Sequence, residues 1–187
     1  MKLKYFTPDQ MKKIYHALDQ DPLSPEHILI EILALTGVRA DELLRIQIFD
    51  IDFQAKRFTL HKASKGSESR TCPLGLRLTQ RIAKIVEDMN LKPNDFLVSI
   101  LSDTVNVDSL TRMLRFKFQR LKAHIWPGQR LPGLHGLRHT VAKKVYDKTK
   151  DVYAVKEALG HTTVASTQRY MTSFNHESLH SILAERY

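Results

Sequence analysis

Apolar residues recur at helical spacing from the start of the chain. Met11, Ile14, Tyr15 and Leu18 fall three and four apart. Thr7-Pro8-Asp9-Gln10 in front of them supplies a helix start: a threonine to cap, a proline for the first helical position, and Gln10 to reach back. Ser24-Pro25-Glu26 predicts a second start by the same logic. The run behind it, His27 to Leu35, is apolar nearly all round, which places it at the centre of a core, and Gly37 stops it. Arg39 stands at the turn into a short helix, with Glu42 one turn on. The period then changes. Arg57 to His61 alternates as a strand does, Lys65-Gly66-Ser67-Glu68 turns, and Arg70 to Leu74 returns, which predicts a hairpin with Lys65 at its tip. Pro73 marks the return strand as an edge or as near its end. Helical spacing resumes over about Leu76 to Met89 and about Asp108 to His124. Trp126 to Gly133 reads as a loop. One helix runs from His135 to about Lys150, another is capped by Asp151 and ends at Leu159-Gly160, and a further one holds Thr163 to Tyr170. In the tail, Asn175 to Tyr187, the residues Leu179, Ile182 and Leu183 share a face. The predicted fold class is α+β: a single, mainly helical domain with a small antiparallel β-sheet.

Charge narrows what such a domain can bind. The chain has 187 residues, with 29 Lys+Arg against 20 Asp+Glu, and a formal net charge of +9. That excess points to a polyanion, with nucleic acid first and an anionic membrane surface second. The basic residues gather on the helix predicted after Asp108, where Arg112, Arg115, Lys117, Arg120 and Lys122 interleave with Leu114, Phe116, Phe118 and Leu121. These five, with Arg70 on the return strand, are the candidates to track a DNA backbone. No apolar run approaches the length of a transmembrane span, and the first residues lack the apolar core of a signal peptide. The single cysteine, Cys72, cannot form an intramolecular disulfide, which fits a reducing compartment. The expected location is the cytoplasm.

Candidate chemistry concentrates between Leu134 and Thr172. His135, Arg138 and His139 share one side of a helix. His161 follows the end of the next helix, and Tyr170 follows Arg169. Arginine suits bidentate phosphate contact, and a tyrosine hydroxyl is a nucleophile once its proton has somewhere to go. Singly, each is an ordinary packing or surface residue. A metal site is the first rival, since His135/His139 and His176/His180 have i,i+4 spacing. Neither pair encloses the glutamate of a zinc hydrolase motif, and Arg138 would repel a cation, so no metal and no cofactor is expected. His139 reads as a packing residue.

Together with Arg39 and Lys65 these residues form an ordered set: Thr36-Gly37-Val38-Arg39-Ala40-Asp41-Glu42-Leu43; Lys65-Gly66 with Arg70 and Pro73-Leu74 behind it; Leu134-His135-Gly136-Leu137-Arg138-His139; Leu159-Gly160-His161; and Tyr170. In these motifs, from about Thr7 onward, the chain resembles the catalytic domain of the tyrosine recombinases, the phage integrase family. The resemblance implies a site-specific recombinase fold and chemistry, with Arg39, Lys65, His135, Arg138, His161 and Tyr170 as catalytic residues. Tyr170 would attack a DNA phosphate and form a 3′-phosphotyrosyl link, with no ATP and no metal. His135 would accept its proton, and Arg39 and Arg138 would clamp the non-bridging oxygens. His161 would donate to the same phosphate, and Lys65 would protonate the leaving 5′-oxygen. It implies double-stranded DNA as partner and a synaptic tetramer on DNA, formed from a protein expected to be monomeric when free. Members usually carry a separate N-terminal core-binding domain. Residues 1–187 are expected to hold the catalytic domain alone, with 175–187 as a tail helix exchanged between protomers or folded on its own core. A non-catalytic DNA-binding regulator and a type IB topoisomerase are the alternatives on the same residues.

Overall fold

The computed structural model describes residues 4–61, 68–101 and 107–168. Helix α1 (Pro8–Leu18) opens on the expected capping box: the Thr7 side chain accepts from the Gln10 N–H, and Gln10 accepts from the Thr7 N–H. Helix α2 (Pro25–Thr36) starts after Ser24, but Ser24 does not cap it. The serine hydroxyl donates instead to Glu26 at 3.0 Å. Ile28, Leu29, Ile30 and Ile32 are all 0–1 % exposed, although they point to different sides of α2. The helix is enclosed by α1, a fourth helix (α4, Leu76–Asp88), a fifth (α5, Val107–Ile125) and a sixth (α6, Leu134–Thr149). Each such buried aliphatic side chain contributes about 1.5–3 kcal/mol, so α2 is the element on which the domain is assembled.

Gly37 ends α2 in a left-handed conformation, φ +67°. A side chain there would be strained, and its Cβ would meet that of Val141 on α6 at 3.0 Å. The turn delivers Arg39 to the front of α3 (Ala40–Leu43). A 3₁₀ turn at Ile48–Asp50 leads to a three-stranded antiparallel sheet of β1 (Ile51–Asp52), β2 (Arg57–Leu60) and β3 (Arg70–Pro73), in that order. Phe58 pairs with Ile51 on one side and Cys72 on the other, and all three are buried. The hairpin is therefore present. β1 was not expected, because two residues are too short to show alternation. β3 is an edge strand and ends at Pro73, as that proline predicts.

After α6, Lys150 takes a left-handed conformation and Asp151 caps α7 (Val152–Leu159) by accepting from the Tyr153 N–H at 2.7 Å. Val141 and Ala142 of α6 pack on Val155 and Leu159 of α7 in a second small core. Gly160 ends α7 at φ +64°. A helical turn over 164–168, at the end of the described residues, begins after Thr163, whose hydroxyl oxygen accepts from the Ser166 N–H. No helix among the described residues is long and apolar enough to cross a membrane.

Candidate active site

The site lies where α2, α6 and α7 end or begin together, and Arg138 joins them. Its side chain is 2 % exposed, yet it carries a permanent charge. Nη1 donates to the carbonyl of Gly37 at 2.6 Å, and Nη2 donates to the carbonyl of Leu159 at 2.8 Å. Both carbonyls belong to helix C-termini, where unpaired oxygens concentrate negative dipole. Nη2 also lies 2.9 Å from Nε2 of His161. A guanidinium can only donate, so Nε2 accepts there. In the neutral ring the proton is then on Nδ1, which donates to Thr167 Oγ1 at 2.9 Å. Burial, and then the charges of Arg138, Arg39 and Arg70, push His161 down to about 4, against a smaller opposing effect of Glu42. His161 is thus neutral at pH 7, with its acceptor face committed to Arg138. The donation to phosphate expected of it needs a proton on Nε2, which this arrangement does not provide.

Arg39 is held from the side. Both its backbone N–H and its Nη1 donate to Glu42, at 2.9 and 2.8 Å, and its side chain keeps 29 % of its surface in contact with solvent. Glu42 is itself 1 % exposed and takes a third bond, from Arg70 Nη2 at 2.8 Å. Burial alone would raise its carboxyl. The Arg70 hydrogen bond, the Arg39 N–H and the charges of Arg70 and Arg138 outweigh that and hold it below the ordinary carboxylate range. From the sequence Glu42 stands only as a residue one turn on from Arg39. Its i,i+3 spacing gave the pairing, but nothing in the sequence showed that Arg70 would arrive from the sheet to close it in.

His135 sits in the first turn of α6, at the mouth of the site. Its ring meets that of His139 edge to face, with centroids 4.9 Å apart. Partial burial, then Arg138 and Arg39, lower its pKa, so it is a neutral proton acceptor at pH 7. His139 is driven down to about 4 by burial and by His135, Lys4 and Arg138. Arg39, His135 and Arg138 line one cleft of about 650 Å³, together with Asp41, Gly133 and Leu134. Its far wall is α5, through Asp108, Thr111, Arg115 and Gln119. Four of the expected catalytic residues, Arg39, His135, Arg138 and His161, are therefore in one place. Lys65 and Tyr170 lie outside the described residues.

The basic candidates separate into two kinds. Arg112, Arg115 and Arg120 are exposed on α5, with Phe116 exposed among them and Arg120 6.0 Å from its ring. Lys117 is paired with Glu26 at 2.5 Å. Lys122 is a correction: it is 5 % exposed, and its ammonium donates to the carbonyls of Leu131 and Pro132 and lies over Phe118. It pins the loop before α6 and presents no charge to a ligand. Arg70 is a second correction. Its side chain is 9 % exposed and bound to Glu42, so it supports the site from behind and does not face a DNA surface. Helical periodicity places a lysine on a face without saying what the next loop will lay over it.

Comparison with known proteins agrees with this geometry. The Phage integrase family profile matches residues 4–177. Tyrosine recombinase XerC of Staphylococcus aureus (strain bovine RF122 / ET3-1) is 28 % identical over 177 residues, covering 89 % of this chain and 56 % of that protein. The chain spans little more than half the length of the curated relatives it matches. Among solved structures, XerA recombinase superposes with a TM-score of 0.74 at 25 % identity, covering 100 % of this chain and 67 % of the other. XerH recombinase in a post-cleavage complex with a palindromic difH substrate gives 0.75 at 22 %, covering 97 % and 52 %. The mainly helical fold with its small sheet is that of tyrosine recombinase catalytic domains. The chain belongs to the phage integrase family.

Proposed function

We propose that this chain is the catalytic domain of a site-specific DNA recombinase, which cuts and rejoins duplex DNA through a 3′-phosphotyrosyl intermediate. The observation that carries the reading is the convergence of Arg39, His135 and Arg138 on one cleft, with Arg138 oriented by His161. Two arginines at one phosphate neutralise the charge of a pentavalent transition state, which is the work a metal ion does elsewhere. A neutral histidine at the mouth takes the proton of Tyr170, whose hydroxyl has an ordinary pKa of about 10 and cannot ionise unaided at pH 7. Tyr170 Oη bonds to phosphorus, the bond to the 5′-oxygen breaks, and Lys65 gives that oxygen its proton. The reverse attack by a 5′-hydroxyl rejoins the strand without ATP. Arg115 on the wall of the cleft, with Arg112 and Arg120 exposed on the same helix, suits the flanking backbone. Exchange between two duplexes needs several such sites, so the protein works as a synaptic tetramer assembled on DNA from free monomers. The 175–187 segment docks on the neighbouring protomer, in the cytoplasm where the DNA is.

A nicked suicide duplex carrying the cognate site tests this. The wild-type chain traps as a covalent adduct, and Tyr170→Phe binds but gives none; an adduct persisting in Tyr170→Phe removes Tyr170 as nucleophile. Lys65→Ala is slow on ordinary DNA and recovers on a 5′-bridging phosphorothiolate, whose sulfur leaves without a proton. Arg39→Ala is not rescued, because it acts on the non-bridging oxygens.

A further inference from the structure

Thr167 is fully buried at 0 % exposure, and its hydroxyl ends a chain of hydrogen bonds that starts at the phosphate-clamping arginine. The chain runs from Arg138 Nη2 to His161 Nε2 at 2.9 Å, and from His161 Nδ1 to Thr167 Oγ1 at 2.9 Å. Arg138 fixes the direction of the first bond, since it has no acceptor. The second bond must then run outward from Nδ1–H into the threonine oxygen. Arg138 thereby sets the tautomer, and the threonine oxygen is the acceptor that the resulting Nδ1–H requires. With the proton on Nε2 instead, two N–H groups would face each other across 2.9 Å at the arginine that ties α6 to the ends of α2 and α7.

Thr167 belongs to the helical turn 164–168, and Tyr170 lies three residues further along the chain. Seating of this turn and orientation of Arg138 are therefore linked by a single imidazole. We infer that Thr167 is a positioning residue: it holds His161 in the Nδ1–H tautomer that Arg138 requires, so that docking of the turn 164–168 adds the imidazole to the two helix-end carbonyls that hold the arginine. This assigns His161 to orientation of Arg138 in the resting site, and it rests on the recombinase reading of that site. The residue touches neither DNA nor the reacting atoms. It acts through His161, as the outer partners of functional histidines generally do, and loss of such a partner costs about ten- to a hundredfold.

The test compares Thr167→Val, which keeps the shape and removes the acceptor, with Thr167→Ser, which keeps the acceptor and removes the methyl. In the full chain labelled with ¹⁵N-histidine at pH 7, the His161 signals show a protonated Nδ1 and a bare Nε2. They keep this pattern in Thr167→Ser and lose it in Thr167→Val. In single-turnover cleavage of a saturating suicide duplex, Thr167→Val is about ten- to a hundredfold slower, with duplex affinity unchanged, and Thr167→Ser recovers most of the rate. A wild-type tautomer pattern in Thr167→Val overturns the inference, and so does a Thr167→Ser variant as slow as Thr167→Val, which would make the methyl the active feature. Thermal melts of both variants separate a folding defect, and if Thr167→Val does not fold, the tautomer and rate of Thr167→Ser decide. Should the wild-type chain form no adduct at all, the recombinase reading falls, while the tautomer spectrum still tells whether Thr167 sets the state of His161.

Discussion

Replacing Glu42 by glutamine keeps the volume of the side chain and removes its charge, at a position where three donors meet two oxygens. The Arg39 N–H and Nη1 and the Arg70 Nη2 all end on this carboxylate, between 2.8 and 2.9 Å. An amide keeps one acceptor oxygen and puts N–H donors where the other oxygen stood. At least one arginine then meets a donor. Arg39 loses little, because its side chain is 29 % exposed and water replaces the bond. Arg70 cannot be rescued in that way at 9 % side-chain exposure. Removing one partner of a buried pair costs about 3–5 kcal/mol, and the surviving amide oxygen puts Glu42→Gln near the lower end. With a urea m-value of about 2 kcal/mol/M, the unfolding midpoint falls by roughly 1.5 M at unchanged slope. Adding Arg70→Met removes the stranded charge, so the double variant is more stable than Glu42→Gln alone. A Glu42→Gln midpoint within about 0.3 M of wild type, equivalent to well under 1 kcal/mol, refutes this account. So does a double variant less stable than the single one.

Gly160→Ala forces a β-carbon into the left-handed region at φ +64° and drives it into the Arg70 guanidinium; it is expected to lower stability by about 2 kcal/mol or more in the same urea assay, while the same change at the open Gly128 costs only the conformational part. Stability is expected to fall with acid through His161. Its folded pKa of about 4 lies below the ordinary 6.5, so the unfolded chain takes the proton first, and stability is fully present above 6.5 and lost as the pH falls toward 4. From pH 7 to pH 5 that loss is about 2 kcal/mol, and His161→Gln removes this part of the slope in paired unfolding curves. Cleavage should fall with acid as well, because His135 must be neutral to take a proton; a rate that rises below pH 6 excludes it as acceptor. Arg115→Ala is expected to reduce the log–log salt slope of duplex binding by about 0.9. Lys122→Met leaves that slope unchanged and instead destabilises the loop before α6, as read by thermal melting.

The elements were legible where local chemistry decides them. Thr7 and Gln10 closed the capping box that their spacing announced, Pro73 ended an edge strand, and Gly37 and Gly160 ended helices in the conformation that favours glycine. The residues of the cleft were legible as a set, because Arg39, His135 and His161 each stand at a helix boundary that sequence marks, and Arg138 follows His135 by one turn on the same face. What stayed hidden were contacts between elements. Glu42 was visible only as a neighbour of Arg39, and the bond from Arg70 on β3, 28 residues away, was not. Lys122 looked like part of a basic stripe until the Leu131–Pro132 loop covered it. Thr167 carried no signal at all, since a threonine one turn from a tyrosine is unremarkable without the imidazole above it. Such partners are chosen by tertiary geometry, and periodicity does not encode it.

Arg138 holds together the ends of α2 and α7 apart from its proposed part in cleavage, and this has a consequence for descendants of the chain. A lineage that gives up the proposed DNA cleavage can change Tyr170 or Lys65 without breaking these bonds. It cannot discard Arg138 so freely, because the carbonyls of Gly37 and Leu159 would lose a buried charged donor, a bond to a charged group being worth about 1.5–3 kcal/mol. Inactive offspring should therefore keep this arginine long after the nucleophile has drifted. In genomes, an intact arginine at this position testifies to folding and says little about whether a protein still cuts.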